Sequence, residues 1–193
     1  MNKGYLFILT TAFLFGTMET ALKFFGSLFH PIQITVLRFF IGGFMLLPLA
    51  RAALKTHGAV LTKKDYLFFA KAGFIGVFVS MIFYQLAVVY GKAAVSGVLF
   101  SCNPIFVAVW AHFLLHETID RYVISSLVLS AVGILSIVNP FHFRGTYLSV
   151  ILIMLAAVTF GLYSVMGRPA CQRLGGVTVT SYSFIFGAAE LLV

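Results

Sequence analysis

Six stretches of this chain, residues 5–25, 32–50, 66–90, 93–115, 122–139 and 146–167, are each predominantly apolar. Each is close to the ~20 residues a helix needs to cross the hydrocarbon of a bilayer. Hydrocarbon offers backbone amides and carbonyls no water to pair with, so such a segment closes its own hydrogen bonds as a helix. The expected fold is therefore an all-α membrane protein, a multi-pass helical bundle whose solvent is a lipid bilayer. A seventh stretch opens near Val177 and is still apolar at Val193, without a polar flank. The sequence is accordingly expected to be a truncated part of a longer protein.

Composition excludes the main soluble alternatives. Hydrophobic residues make up 61% and charged residues 9%, against roughly 25% charged in a soluble domain. The 22 Phe stand against only 5 acidic residues, which suits helices that show Phe and Leu to lipid. The net charge of +8 sits mostly in connecting loops, so no nucleic-acid partner is expected. Cys102 lies inside an apolar stretch and Cys171 just beyond one, which implies no disulfide framework. The N-terminus runs from Lys3 straight into apolar sequence with no small-residue cleavage site, so that stretch reads as a retained first helix.

Cytoplasmic loops retain Lys and Arg. With the N-terminus inside, the cytoplasmic side holds Lys3, Arg51, Lys55, Lys63, Lys64, Arg121, Arg168 and Arg173, and the opposite side only Lys23, Lys92 and Arg144. That asymmetry predicts a cytoplasmic N-terminus in the cell membrane. It also makes the Arg51–Asp65 loop the main cytoplasmic anchor.

An internal repeat is visible. Phe15-Gly16 is followed by Lys23 seven residues after the glycine, and Phe160-Gly161 by Arg168 at the same spacing. Lys3-Gly4 and Arg144-Gly145 open the two units, although the intervening lengths differ by four residues, about one helical turn. If the sixth helix restarts the first, the unit is five helices: residues 4–139 form one repeat and 144–193 begin a second. An odd number of crossings inverts the second copy, and inverted repeats place binding sites near the midplane between halves.

Several residue groups together resemble the EamA-type members of the drug/metabolite transporter superfamily. They are Phe15-Gly16 with Lys23, Leu37-Arg38-Phe39, and the run from Tyr84 through Ala93, Ala94 and Ser96 to Asn103-Pro104-Ile105-Phe106. Leu115-His116-Glu117, Gly133 and Tyr163 to Arg168 complete the set, and their order and spacing carry the resemblance over essentially the whole chain. Phe15 departs from it, standing where Trp is commoner. The resemblance implies ten helices in two inverted five-helix repeats and export of small metabolites such as amino acids, or of drugs. It also implies that the last three helices, expected around the same cavity, are missing from this chain.

Ionisable groups inside a membrane are functional candidates by default. Gly16, Glu19, Thr20 and Lys23 share a helical face, and Glu19 and Arg38 both fall ~10 Å below the same surface at ~1.5 Å per residue. A pair across the first two helices is either a ligand contact or proton relay, or a helix lock with Lys23 snorkelling outward. Ser96, Asn103 and Trp110 recur at sevens along the fourth helix, which places them near one face that could line a cavity. Pro104 removes an amide donor beside Asn103 and bends that helix. Tyr84 and Gln85 in the third helix, with Tyr163 and Ser164 in the sixth, are mid-span polar groups that either face a solute or bond helix to helix. The candidate solute-binding residues are thus Glu19, Lys23, Arg38, Tyr84, Gln85, Ser96, Asn103, Trp110 and Tyr163. Gly42, Gly43, Gly73, Gly76 and Ser80 read as sites of close helix packing.

His112, His116 and Glu117 do not follow the zincin order, because Phe113 stands where its glutamate belongs. No metal and no cofactor are expected. A Gly-x-Ser-x-Gly elbow, a complete metal ligand set and a mid-span aspartate pair are all missing, with Asp65 and Asp120 expected in loops, so the chain does not read as an enzyme. No nucleotide-phosphate loop suggests ATP drive. The expected activity is secondary transport of a small organic solute, outward, by alternating exposure of a midplane cavity. Proton coupling through Glu19 and uncoupled exchange fit the sequence equally. Efflux of drugs or organic cations, and a non-catalytic assembly or receptor subunit, are the alternatives.

Overall fold

The structure is a computed structural model describing residues 5, 9, 10, 13, 17, 31–91, 93–138 and 147–192. Among these there is no β-strand, and the chain runs as a succession of helices. The second span is α1, Pro31–Thr56, and the third is α2, Lys63–Tyr90. The fourth is broken into α3, Ala93–Phe100, and α4, Asn103–Leu115. The fifth, sixth and seventh are α5, Arg121–Val138, α6, Tyr147–Leu174, and α7, Gly176–Glu190. Four helices among the described residues are long and apolar enough to cross a membrane: 32–56, 63–90, 95–115 and 147–174. The chain is an all-α multi-pass membrane protein.

Helix extents correct the hydropathy reading in three places. α1 runs on to Thr56, carrying Arg51 and Lys55 on its exposed last turns. α2 begins at Lys63, which moves Asp65 from the expected loop into a first helical turn. α6 continues through Pro169 to Leu174, so Arg168 and Arg173 are helical residues. Backbone hydrogen bonding continues past the edge of the apolar stretch, because a helix can extend beyond the hydrocarbon into water.

The break in the fourth span follows from Pro104, which cannot donate to the preceding turn. The chain tightens there: the Ser101 amide reaches Gly97 O and Val98 O, the Cys102 amide reaches Leu99 O at 3.1 Å, and the Ser101 hydroxyl donates to Val98 O at 2.6 Å. α2 contains a π-helical segment at Phe74–Val79. That wider turn lies where α2 meets both α6 and α7.

Small residues set the helix spacing, as interfaces inside a membrane require. A Cβ on Gly73 would lie 2.6 Å from both the Gly187 amide nitrogen and the Ser183 carbonyl oxygen, so α2 and α7 touch backbone to backbone. A Cβ on Gly43 would lie 2.7 Å from Ile185 Cγ1, and the Ser181 hydroxyl donates to Gly43 O at 2.8 Å, fastening α1 to α7. Ser80 donates to Ala156 O at 2.9 Å, joining α2 to α6. Among the described residues nothing lies within 4 Å of where a Gly42 Cβ would be, so of that pair it is Gly43 that meets α7.

Among the described residues the interior falls into three apolar clusters. Tyr84, Ala87, Leu99, Ile153 and Ala156 fill the space between α2, α3 and α6. Phe39, Val77, Met81 and Ala188 join α1, α2 and α7. Phe69, Leu174 and Val179 close one end, where Tyr182 stacks on Phe69 at 5.1 Å between ring centroids. α6 and α7 thus pack among the earlier helices, and Gly175 alone joins them, with φ +83°. α5 is exposed along nearly all of its described length.

Candidate functional site

An aromatic chain crosses the bundle. Tyr84 of α2, only 4% exposed, meets Phe100 of α3 edge to face at 5.0 Å. Phe100 meets Phe160 of α6 at 5.5 Å, and Phe160 meets Tyr163 one turn on at 5.6 Å. Tyr163 lies against Gly76, where any Cβ would collide with its ring, so the glycine sets the position of the tyrosine. Two of the expected solute-binding residues, Tyr84 and Tyr163, are therefore linked through Phe100 and Phe160. The sequence marks Phe160 only as part of the repeat and does not single out Phe100, because in a chain this rich in Phe a membrane-facing ring and an interior ring look alike.

Gln85, next to Tyr84, is 6% exposed, and its Nε2 has no hydrogen-bond partner among the described residues. A buried, unmatched amide costs about 1–3 kcal/mol, so a polar group placed there would be stabilised. Arg38 of α1 reaches α2 one turn before Tyr84 and Gln85: its guanidinium sits 4.8 Å from the Phe39 ring centroid and donates to Met81 Sδ at 3.9 Å. Glu19 and Lys23 lie outside the described residues.

The remaining expected positions do not converge on the aromatic chain. Ser96 is buried and donates to Ala87 O at 3.4 Å, the carbonyl that also accepts from Ser149 at 2.7 Å. The Trp110 indole donates to Val158 O at 3.1 Å, joining α4 to α6. The Ser164 hydroxyl turns back to Phe160 O at 2.9 Å. These hydroxyl and indole protons satisfy backbone carbonyls.

Asn103 belongs to a separate cleft of about 410 Å³ between α4, α5 and the end of α6. Val107, Ala108, Val123 and Leu127 make its walls, and Glu117 and Arg168 also line it. Arg168 Nη1 donates to both oxygens of the Glu117 carboxylate, at 2.6 and 2.7 Å. A second pair ties Arg173 to Asp65. Asp65 also accepts from the Thr62 backbone amide and hydroxyl, both at 2.7 Å, forming the capping box of α2. The pairs fasten the last turns of α6 to the start of α2 and to the loop between α4 and α5. Their signal in the sequence was opposite charge at span ends assigned to one side.

His116 ends α4 in a left-handed conformation, φ 54°, and His112 Nδ1 lies 2.9 Å from Glu117 O. Among the described residues, no three His, Cys, Asp or Glu side chains group closely enough to hold a metal ion.

Residues 2–139 match the EamA-like transporter family. The chain belongs to that family. An uncharacterized transporter of Clostridium kluyveri is 33% identical over 201 residues, aligning with 100% of this chain and 65% of its own length. One from Archaeoglobus fulgidus is 27% identical over 191 residues, covering 99% of the chain and 66% of the relative. The uncharacterized transporter YetK of Bacillus subtilis is 29% identical over 160 residues, covering 78% of the chain and 47% of the relative. This EamA chain thus spans just under two thirds of the length of the first two. No solved structure matches it.

Proposed function

We propose that the chain is part of a secondary transporter that exports small organic metabolites, amino acids or related solutes, across the cell membrane by alternating access. The observation that carries this reading is the aromatic run Tyr84, Phe100, Phe160 and Tyr163, joining α2, α3 and α6, with the unmatched amide of Gln85 following Tyr84 in the chain. Aromatic rings with a few unsatisfied polar groups are what an amphiphilic solute requires of its site. No catalytic constellation is assigned. Glu19, Lys23, Arg38, Ser96, Asn103 and Trp110 remain members of the proposed solute path, with proton coupling through Glu19 as one form of drive.

The proposed architecture is a first repeat over 4–139 and an inverted second repeat opening at 144, completed by further helices of a longer parent chain. The offset that relates Phe15 to Phe160 and Gly16 to Gly161 also relates Thr35 to Thr180, Phe39 to Phe184 and Gly42 to Gly187. This extension to α1 and α7 supports the repeat. The Asp65–Arg173 and Glu117–Arg168 pairs support placing those ends on one side, and the excess of Lys and Arg on that side supports a cytoplasmic N-terminus.

The test is efflux of a panel of amino acids and organic cations from vesicles holding the full-length parent, with Arg38→Ala and Gln85→Leu beside it. Loss of flux in variants that remain folded and monodisperse supports the path. Flux of organic cations but not amino acids moves the assignment to drug efflux, and no flux of any solute favours an assembly or receptor subunit.

A further inference from the structure

The cleft between α4, α5 and α6 is separate from the aromatic run, and three of its properties belong together. Its walls are apolar, built from Val107, Ala108, Ala111, Val123 and Leu127. Asn103 lines it, and the Asn103 Oδ1 is buried without a partner among the described residues. At the other end of α4, Glu117 in the loop that follows that helix and Arg168 of α6 line it as well and close on each other with both carboxylate oxygens engaged.

A buried acceptor that nothing satisfies is costly, and nearly all such groups in proteins find a donor. The cleft supplies room for one once the Asn103 side chain turns its Oδ1 toward it, since about 410 Å³ lies within the range of small-molecule sites. The charged pair is the part able to move. Its side chains are 41% and 51% exposed, and a pair so exposed is held weakly. The second pair differs: Asp65 is 8% exposed and also caps α2, which anchors that corner. One corner is fixed and the other can open.

We propose that this cleft is a solute vestibule gated by the Glu117–Arg168 pair, and that it takes small amines with an apolar body, whose N–H is accepted by Asn103 Oδ1. The proposal rests on the transport reading for its biological purpose but not for its test. Opening needs only that the Arg168 guanidinium and the Glu117 carboxylate part into water; no covalent step is involved.

The experiment uses the full-length protein in vesicles of both orientations, with Cys102 and Cys171 replaced by Ser and Ala108→Cys introduced in the cleft wall. A membrane-impermeant maleimide reports access to that wall, and 2-phenylethylamine is the protecting probe. Glu117→Gln is expected to speed labelling about two- to five-fold, the range corresponding to loss of an exposed pair, from one orientation only. The exchanged double variant Glu117→Arg with Arg168→Glu is expected to return the rate to that of the parent. Phenylethylamine is expected to slow labelling, and Asn103→Leu to abolish that protection.

Equal labelling rates with and without the pair overturn the gate. Protection that survives Asn103→Leu overturns the assignment of the acceptor. No labelling in any variant means later chain fills the cleft, which overturns the vestibule. Flux is measured on the same vesicles: flux with unaltered labelling removes the gate and leaves transport standing, whereas gated labelling without flux does the reverse.

Discussion

Phe39 of α1 and Phe184 of α7 meet edge to face, with ring centroids 4.7 Å apart and planes at 84°. Edge-to-face pairs contribute about 0.5–1.5 kcal/mol beyond burial. A double-mutant cycle with Phe39→Leu and Phe184→Leu is therefore expected to give a coupling energy of about 1 kcal/mol, measured by thermal unfolding in detergent. Additive losses would show that the two rings merely share a cluster.

Gly73 and Gly42 make opposite predictions. Gly73→Ala places a methyl against the backbone of Gly187, which cannot move aside, and is expected to cost about 1–3 kcal/mol as overpacking does. Gly42→Ala meets nothing within 4 Å and is expected to stabilise α1 by about 0.5–1 kcal/mol, the helix preference for Ala over Gly. Melting temperatures of the two variants check both signs.

Asp65 combines a cap with an ion pair, so its loss costs more than loss of either partner. Asp65→Ala is expected to destabilise by about 2–3 kcal/mol, and Thr62→Ala by about 1 kcal/mol. Equal effects would assign all the stabilisation to the cap. Chemical unfolding followed by Tyr and Trp fluorescence separates the cases.

At Gly175 a side chain faces two obstacles. The positive φ disfavours it by about 1–2 kcal/mol, and its Cβ would press on Ala53 and His57 at 3.3 Å. Gly58 has a similar positive φ in open space. Gly175→Ala is expected to lower the melting temperature more than Gly58→Ala, and equal losses would mean that the α1 end yields.

Trp110→Phe removes the bond to Val158 O and is expected to cost about 1 kcal/mol and to shift the relative rates for different solutes. An unchanged solute profile, read in the efflux panel, would take the indole out of the path.

The spans and their order were legible because each is a run of apolar residues whose length the bilayer dictates. Their ends were not, since Thr56 and Leu174 lie beyond the apolar edge and hydropathy does not report helical hydrogen bonds in water. The break at Ser101–Cys102 was legible from Pro104. The π segment at Phe74–Val79 was not, because it answers to packing against Gly187 and Tyr163, far away in sequence. Among the proposed site residues, Tyr84, Gln85 and Tyr163 could be named as candidates from polarity at mid-span depth. Ser96 and Trp110 carry the same signal, yet their protons bond the backbones of α2 and α6, and only the three-dimensional arrangement separates those uses. Gly42 and Gly43 likewise look identical until Ile185 is seen beside one of them.

The joint between α6 and α7 is a single residue, and a joint that short has no slack. α7 is held along α1 by Ser181 on Gly43 O and by Thr178 on Ala50 O at 3.2 Å, while α6 is tied at its last turns by Arg168 and Arg173. A change in the tilt of α6 is therefore expected to carry α7 and, through those two hydroxyl bonds, α1 with it.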